Sequence, residues 1–157
     1  VIKAVPPNSL PVVYLVSAKG RDAKPLLPDG VTLKDTARNV ISPDGLTIVA
    51  TTAAGQFVLC KIATPSCSPL TGLQDASDDV AGWAADCKSI YVFNRKAVPT
   101  QVDRLEVAGG KRTPWKILKP LNPSAGGIHT LIVAPDGTVA YGYRKDASQL
   151  YVIKGLK

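Results

Sequence analysis

The chain has 157 residues, of which 45% are hydrophobic and 20% charged, and 19 Lys and Arg against 12 Asp and Glu give a net charge of +7. This length suits one domain, and the hydrophobic content excludes global disorder. Gly and Pro, 13 of each, exclude a bundle of long helices, and no apolar run approaches the roughly 18–20 residues that a membrane span needs. Because the chain begins with Val1 and contains no Met, we expect a mature product or a segment of a longer protein.

The N-terminal part of the chain, 1–34, predicts an incomplete sheet. The stretches 11–17 and 24–27 have the pattern of two strands joined by a short turn. A Pro-Asp-Gly turn at 28–30 lies so close to the next copy at 43–45 that no further set of strands fits between them. We therefore assign 1–34 to a truncated sheet and a connector, with the connector at 29–35.

A turn motif recurs along the rest of the chain. Two Pro-Asp-Gly copies and a degenerate Ala-Asp-Cys copy each follow an apolar stretch and precede an alternating one, and they end at positions 45, 87 and 137. Proline fixes φ, aspartate bonds its downstream backbone, and glycine accepts positive φ. The predicted structural turn residues are Pro43, Asp44, Gly45, Pro135, Asp136 and Gly137. Because Cys87 replaces the glycine of the middle copy, we expect that hairpin to be distorted.

The spacing of the motif predicts an all-β fold of β-propeller blades, since four-stranded blades repeat every 40–50 residues or so. We expect about three four-stranded antiparallel blades plus the partial one, at 35–78, 79–126 and 127–157. Each turn is followed by a third strand, at 57–62, 102–107 and 150–153, and a fourth is predicted at 112–118. The alternative is an unrelated β-sandwich with similar turns. Open ends would expose strand edges and an apolar face, so we expect a second copy or missing blades to complete the ring.

Candidate catalytic and metal-binding residues are sparse. The single histidine, His129, falls in a predicted inner strand and is interpreted as a packed or solvated residue. Asp75, Asp78 and Asp79 lack the regular spacing of a calcium loop and are interpreted as a solvated loop between blades. Trp83 is predicted to wedge between blades as a core residue. We find no nucleophile, nucleotide or zinc-protease motif, and we predict no enzyme activity, no cofactor and no metal.

Three cysteines cannot all pair within one chain. Cys60 and Cys67 lie on opposite arms of a predicted hairpin, where either a disulfide or two free thiols would fit. A disulfide would suit an extracytoplasmic compartment. Cys87 would remain as a free thiol in a turn.

A charge pattern predicts a binding rim. Successive blades end their second strand in basic pairs, namely Arg95 with Lys96 and Arg144 with Lys145. In a four-stranded meander these turns share one rim, opposite the Pro-Asp-Gly turns. Such a rim would favour an anionic ligand or the acidic surface of a protein partner; the alternative is solubilising charge. The other basic residues are dispersed and no nucleic-acid motif is present, so nucleic-acid binding is the weaker interpretation.

Four stretches carry a family resemblance: 41–45 (Ile-Ser-Pro-Asp-Gly), 83–86 (Trp-Ala-Ala-Asp), 107–111 (Val-Ala-Gly-Gly-Lys) and 134–157, which ends in Leu-Tyr-Val-Ile-Lys-Gly-Leu-Lys. The stretch 39–157 resembles the TolB-type, WD40-like (PD40) propeller repeats. More narrowly it resembles C-terminal blades attached to bacterial eukaryotic-like serine/threonine kinases and membrane-tethered regulators. The resemblance implies a non-catalytic scaffold that binds a protein or ligand, as a sensory or docking module outside the cytoplasm. An accessory propeller of a hydrolase or peptidase is the alternative.

Overall fold

The structure, a computed structural model, describes residues 2–4, 12–17, 19–20, 22–34, 39–64, 66–73, 77–119 and 127–143. Over these ranges the chain forms strands and turns without any helix, so none is available there to cross a membrane. The predicted all-β class is confirmed. The strands are β1 (Ile2–Ala4), β2 (Val12–Val16), β3 (Ala23–Pro25), β4 (Val31–Thr32), β5 (Thr47–Thr52), β6 (Phe57–Lys61), β7 (Cys67–Pro69), β8 (Asp78–Trp83), β9 (Ser89–Asn94), β10 (Thr100–Glu106), β11 (Arg112–Leu118), β12 (Ile128–Val133) and β13 (Val139–Tyr143).

The described strands form four antiparallel sheets in which neighbours in sequence are neighbours in space. The first sheet is β1–β3, the second β4–β7, the third β8–β11 and the fourth β12–β13. The sequence predicted two strands in the first sheet, and the structure adds β1 beside β2. β4 lies within the residues expected to form a connector, yet it pairs with β5 because Val31 and Leu33 pack in the core there. The third strand expected at 150–153 lies outside the described residues.

Among the described residues, three apolar clusters hold successive sheets together, since the side chains of a strand alternate between its two faces. Between the first and second sheets the cluster includes Val13, Leu26, Ile48, Val58 and Cys60. Between the second and third sheets it includes Val49, Leu70, Val80, Ile90 and Leu105. Between the third and fourth sheets it includes Tyr91, Phe93, Val102, Ile128 and Leu131. The second and third sheets are therefore covered on both faces. This explains why β5 and β9 contain runs of consecutive apolar residues.

The three turn units adopt one geometry. In each, a backbone N–H closes the turn onto the carbonyl three positions earlier: Gly45 to Ser42, Cys87 to Ala84 and Gly137 to Ala134, at 2.9, 3.1 and 2.9 Å. The turn itself is therefore not distorted by Cys87, although the pairing of β8 with β9 shifts register between Val80 and Gly82. Cys87 adopts φ +56°, the left-handed conformation that Gly45 adopts at +72°, so the backbone keeps the turn at the expense of side-chain strain.

The first strands of the third and fourth sheets, β8 and β12, meet closely. Gly82 in β8 has φ +152°, and a Cβ there would collide with the carbonyl oxygen of Val133 in β12. The adjacent Trp83 is buried, and its Nε1 donates a 2.9 Å hydrogen bond to the carbonyl of Val40. The prediction that Trp83 is a core residue between blades is confirmed. His129 lies exposed in β12, at an irregularity of the pairing with β13.

Candidate functional site

The sheets have two opposite edges, and each edge carries its own set of turns. We call the edge that carries the β5–β6 turn (53–56) and the β9–β10 turn (95–99) the loop rim, and the edge that carries the turns at 43–46, 85–88 and 135–138 the Pro-Asp-Gly rim. Arg95 and Lys96 lie on the loop rim, as the meander requires. Arg144 and Lys145 lie outside the described residues. That the two basic pairs share one rim therefore stays a prediction.

Arg95 has a partner within the protein. Its Nε lies 2.7 Å from Asp79 Oδ2, an ion pair that lacks hydrogen-bond geometry. The other carboxylate oxygen, Asp79 Oδ1, accepts a 3.0 Å hydrogen bond from the backbone N–H of Val80. Arg95 thus neutralises a buried carboxylate while part of its side chain faces solvent, and Lys96 beside it is exposed.

The interpretation of Asp78 and Asp79 as solvated loop residues was wrong. Both begin β8 and are buried. Asp78 Oδ2 accepts a 2.7 Å hydrogen bond from Arg112 Nη1, and Arg112 Nε donates at 2.6 Å to Asp103 Oδ2. Ion pairing explains the burial, because a paired carboxylate tolerates loss of water far better than a lone one. Asp75 lies outside the described residues.

Arg112 contacts Asp78 at the candidate site, and the sequence pattern did not identify it. Burial lowers the pKa of Arg112, but hydrogen bonds to Asp78 and Asp103 outweigh that effect and raise the pKa above its usual value. Arg112 therefore stays charged between its two carboxylates. It lies 34 residues from Asp78 in the chain, and no local signal links residues so far apart.

Lys34 also reaches this rim. It follows β4, and its Nζ lies 3.4 Å from Asp79 Oδ1 and 5.2 Å from the centre of the Phe57 ring. Lys34 and Arg95 thus approach one carboxylate from the second and third sheets. Sequence reasoning passed over Lys34, because nothing near it in the chain indicates a contact with β8.

A cavity of about 780 Å³ opens beside Lys34 on the loop rim. Pockets for small molecules commonly measure about 300–1,000 Å³. Its walls come from the second sheet, from the link that follows β7 and from the start of β8, and they include Val31, Lys34, Phe57, Leu70, Leu73 and Asp78.

The cysteines take different roles. Cys60 and Cys67 face each other across β6 and β7 and form a disulfide. Cys60 is buried in the cluster between the first and second sheets. Cys87 is a half-buried free thiol on the Pro-Asp-Gly rim. No group of three His, Cys, Asp or Glu side chains that could hold a metal occurs among the described residues.

The structure is similar to that of TolB from Acinetobacter baumannii, with a TM-score of 0.53 and 16% sequence identity. The likeness covers 88% of this chain and 33% of the TolB chain. The fold is a β-propeller arrangement. Its described sheets do not close into a ring, whereas closed propellers have about 4–8 blades. The chain spans about a third of the length of that TolB chain, and at this identity the likeness is one of fold. No family model and no curated protein matches the sequence.

Proposed function

We propose that the chain is a non-catalytic propeller scaffold that binds a protein or a ligand, as a sensory or docking module of a larger protein. The observation that carries the proposal is an open set of propeller sheets whose loop rim presents exposed Lys96 and a cavity beside Lys34. A rigid sheet framework with functional loops at one rim suits binding. The parent would be of the kind that the PD40-like stretches resemble, a kinase or membrane-tethered regulator.

The same proposal places the module outside the cytoplasm. The disulfide between Cys60 and Cys67 supports this, because structural disulfides persist chiefly in oxidising compartments.

Completion of the ring is part of the proposed function. Val13 in β2 is buried against the second sheet. The strand alternation therefore turns Val12, Tyr14 and Val16 to the opposite face, where the side chains are only half-buried. A sheet face whose apolar side chains are only partly covered is typical of an interface. A second copy of the chain, or further blades of a partner, would cover it.

The native mass tests this proposal. We expect light scattering after size-exclusion chromatography to give at least twice the chain mass of 16.5 kDa, or a complex of higher mass once the parent's other blades are supplied. A species that keeps the mass of a single chain at every concentration, and that does not bind those blades, would contradict completion of the ring.

A further inference from the structure

The geometry points to the loop-rim cavity as a binding site for a small organic anion with an apolar or aromatic body. This inference rests on the proposed binding function and names the ligand class for one site of the module. The site is built mainly by the second sheet, with Asp78 from the third sheet at its wall, and it differs from the outward face of β2 that would complete a ring.

Among the described residues that line the cavity, the accessible charge is positive. The side chain of Lys34 is 31% exposed, whereas those of Asp78 and Asp79 are 2% and 4% exposed. Asp78 also accepts a hydrogen bond from Arg112, so its charge is neutralised inside the protein. A ligand entering the cavity therefore meets an ammonium group and no accessible carboxylate of β8.

Of the two cations at Asp79, Lys34 lies farther from the carboxylate. Its Nζ is 3.4 Å from Asp79 Oδ1, longer than the usual charge-assisted hydrogen bond of about 2.7–2.9 Å. Arg95 lies closer, at 2.7 Å from the other oxygen of the same carboxylate. Asp79 therefore keeps Arg95 as a paired cation when Lys34 binds a ligand.

The walls supply the apolar part of the ligand preference. Val31, Phe57, Leu70 and Leu73 line the cavity, and the ring of Phe57 lies under the Lys34 ammonium. An ammonium beside an aromatic ring and aliphatic walls matches an anion attached to a ring or chain. Simple inorganic anions would leave those walls exposed to water.

Two fluorescent probes of nearly equal shape test the charge preference: 8-anilinonaphthalene-1-sulfonate, which is anionic, and N-phenyl-1-naphthylamine, which is uncharged. We expect the anionic probe to bind with one site per chain. Lys34→Met should weaken its binding about tenfold, as expected for loss of a hydrogen bond from a charged donor, and should leave the uncharged probe unchanged. Lys34→Arg should restore binding of the anionic probe.

Matched variants locate the site. Lys88→Met removes an exposed lysine from the Pro-Asp-Gly rim and should leave both probes unchanged, whereas Leu73→Asn changes a cavity wall and should weaken both. The inference is overturned if the wild-type chain binds no anionic probe, if Lys34→Met and Lys88→Met behave alike, or if Lys34→Arg fails to restore binding while its thermal unfolding matches wild type. None of these outcomes depends on the native mass, so the site and the completion of the ring can fail separately.

Discussion

Cys87 has a backbone conformation that ordinarily favours glycine. Its φ is +56°, and the equivalent residues of the other two turns are glycines at +72° and +85°. A side chain in the left-handed region costs about 1–2 kcal/mol. The turn forms nonetheless, because the carboxylate of Asp86 accepts hydrogen bonds from the backbone N–H groups of Lys88 and Ser89, at 3.1 and 3.2 Å.

We predict that Cys87→Gly stabilises the protein by about 0.5–1 kcal/mol, because it relieves the left-handed strain and loses part of the gain to backbone entropy. Gly45→Ala is the matched reverse change, since a Cβ at Gly45 meets nothing within 4 Å and only φ opposes it. It should destabilise by about 1 kcal/mol. Urea unfolding measures both. A destabilised Cys87→Gly variant would show that the thiol contributes contacts worth more than the strain.

The aspartates of the turns at 43–46 and 135–138 have lowered pKa values, which predicts that stability depends on pH. The N–H of Thr138 donates to Asp136 Oδ1 at 2.8 Å and holds the pKa of Asp136 below its usual value. For Asp44, the Ser42 hydroxyl, which donates at 2.5 Å, is the main cause of a lowered pKa, with the N–H of Leu46 second. A folded-state pKa below the unfolded one stabilises the fold above the unfolded value, and that stability is lost as the pH falls through the folded value.

Urea unfolding of the wild type should therefore give midpoints that fall as the pH drops below about 4. Asp136→Asn keeps an acceptor that does not titrate, so its midpoint should fall less steeply over that range. Asp22→Asn, at an exposed aspartate, should follow the wild type. Parallel slopes for Asp136→Asn and wild type would show that the turn makes no contribution to acid unfolding.

The interface between the second and third sheets combines an apolar cluster with buried charges. Leu70, Val80 and Leu105 pack there, and Arg112 from β11 reaches Asp103 in β10 and Asp78 in β8. The triad therefore ties the outer strand of the third sheet to its inner strand. Removing its cation would take the Arg112 ion pair from two buried carboxylates.

We predict that Arg112→Met destabilises by about 3–5 kcal/mol, the usual consequence of breaking a buried pair. Arg104→Met is the control, because Arg104 pairs with Asp86 at the surface, with 42% of its side chain exposed against 14% for Arg112. It should cost no more than about 1 kcal/mol. Adding Asp78→Asn to Arg112→Met should recover part of the loss in urea unfolding, and an unchanged or larger loss would exclude uncompensated charge as the cause.

Most strands could be predicted because their signals are local. The hairpins at 42–47 and 134–138 follow from Pro-Asp-Gly between apolar and alternating stretches, and Cys87 did not disturb the middle copy because aspartate and φ decide the turn together. The buried state of Asp78 and Asp79 could not be predicted in this way. It depends on Arg112, Arg95 and Lys34, which reach β8 only after the sheets have packed, and residues at such separations leave no periodic pattern in the sequence.

At the scale of the molecule, the third and first sheets differ in how many of their faces are covered by apolar side chains. The third sheet is covered on one face by Val49 and Leu70 and on the other by Ile128 and Leu131. The first sheet is covered on the side of Val13 alone within the described residues. The outward side chains of β2 are half-buried and belong to none of the apolar clusters of the described residues.

This asymmetry makes a prediction for Val16, which is half-buried on the outward face of β2. If a second copy or further blades cover that face, Val16→Asp places an unpaired carboxylate in the interface, a change that association tolerates poorly. We expect the variant to fall to the monomer mass of 16.5 kDa in light scattering while its circular dichroism stays that of strands.

Leu46→Asp is the matched control, because Leu46 is 61% exposed on the Pro-Asp-Gly rim, away from the open face, and it should leave the mass unchanged. Equal masses for wild type and Val16→Asp would place the assembly contacts elsewhere, whereas a loss of mass in both variants would point to general aggregation of exposed apolar residues instead of a defined face.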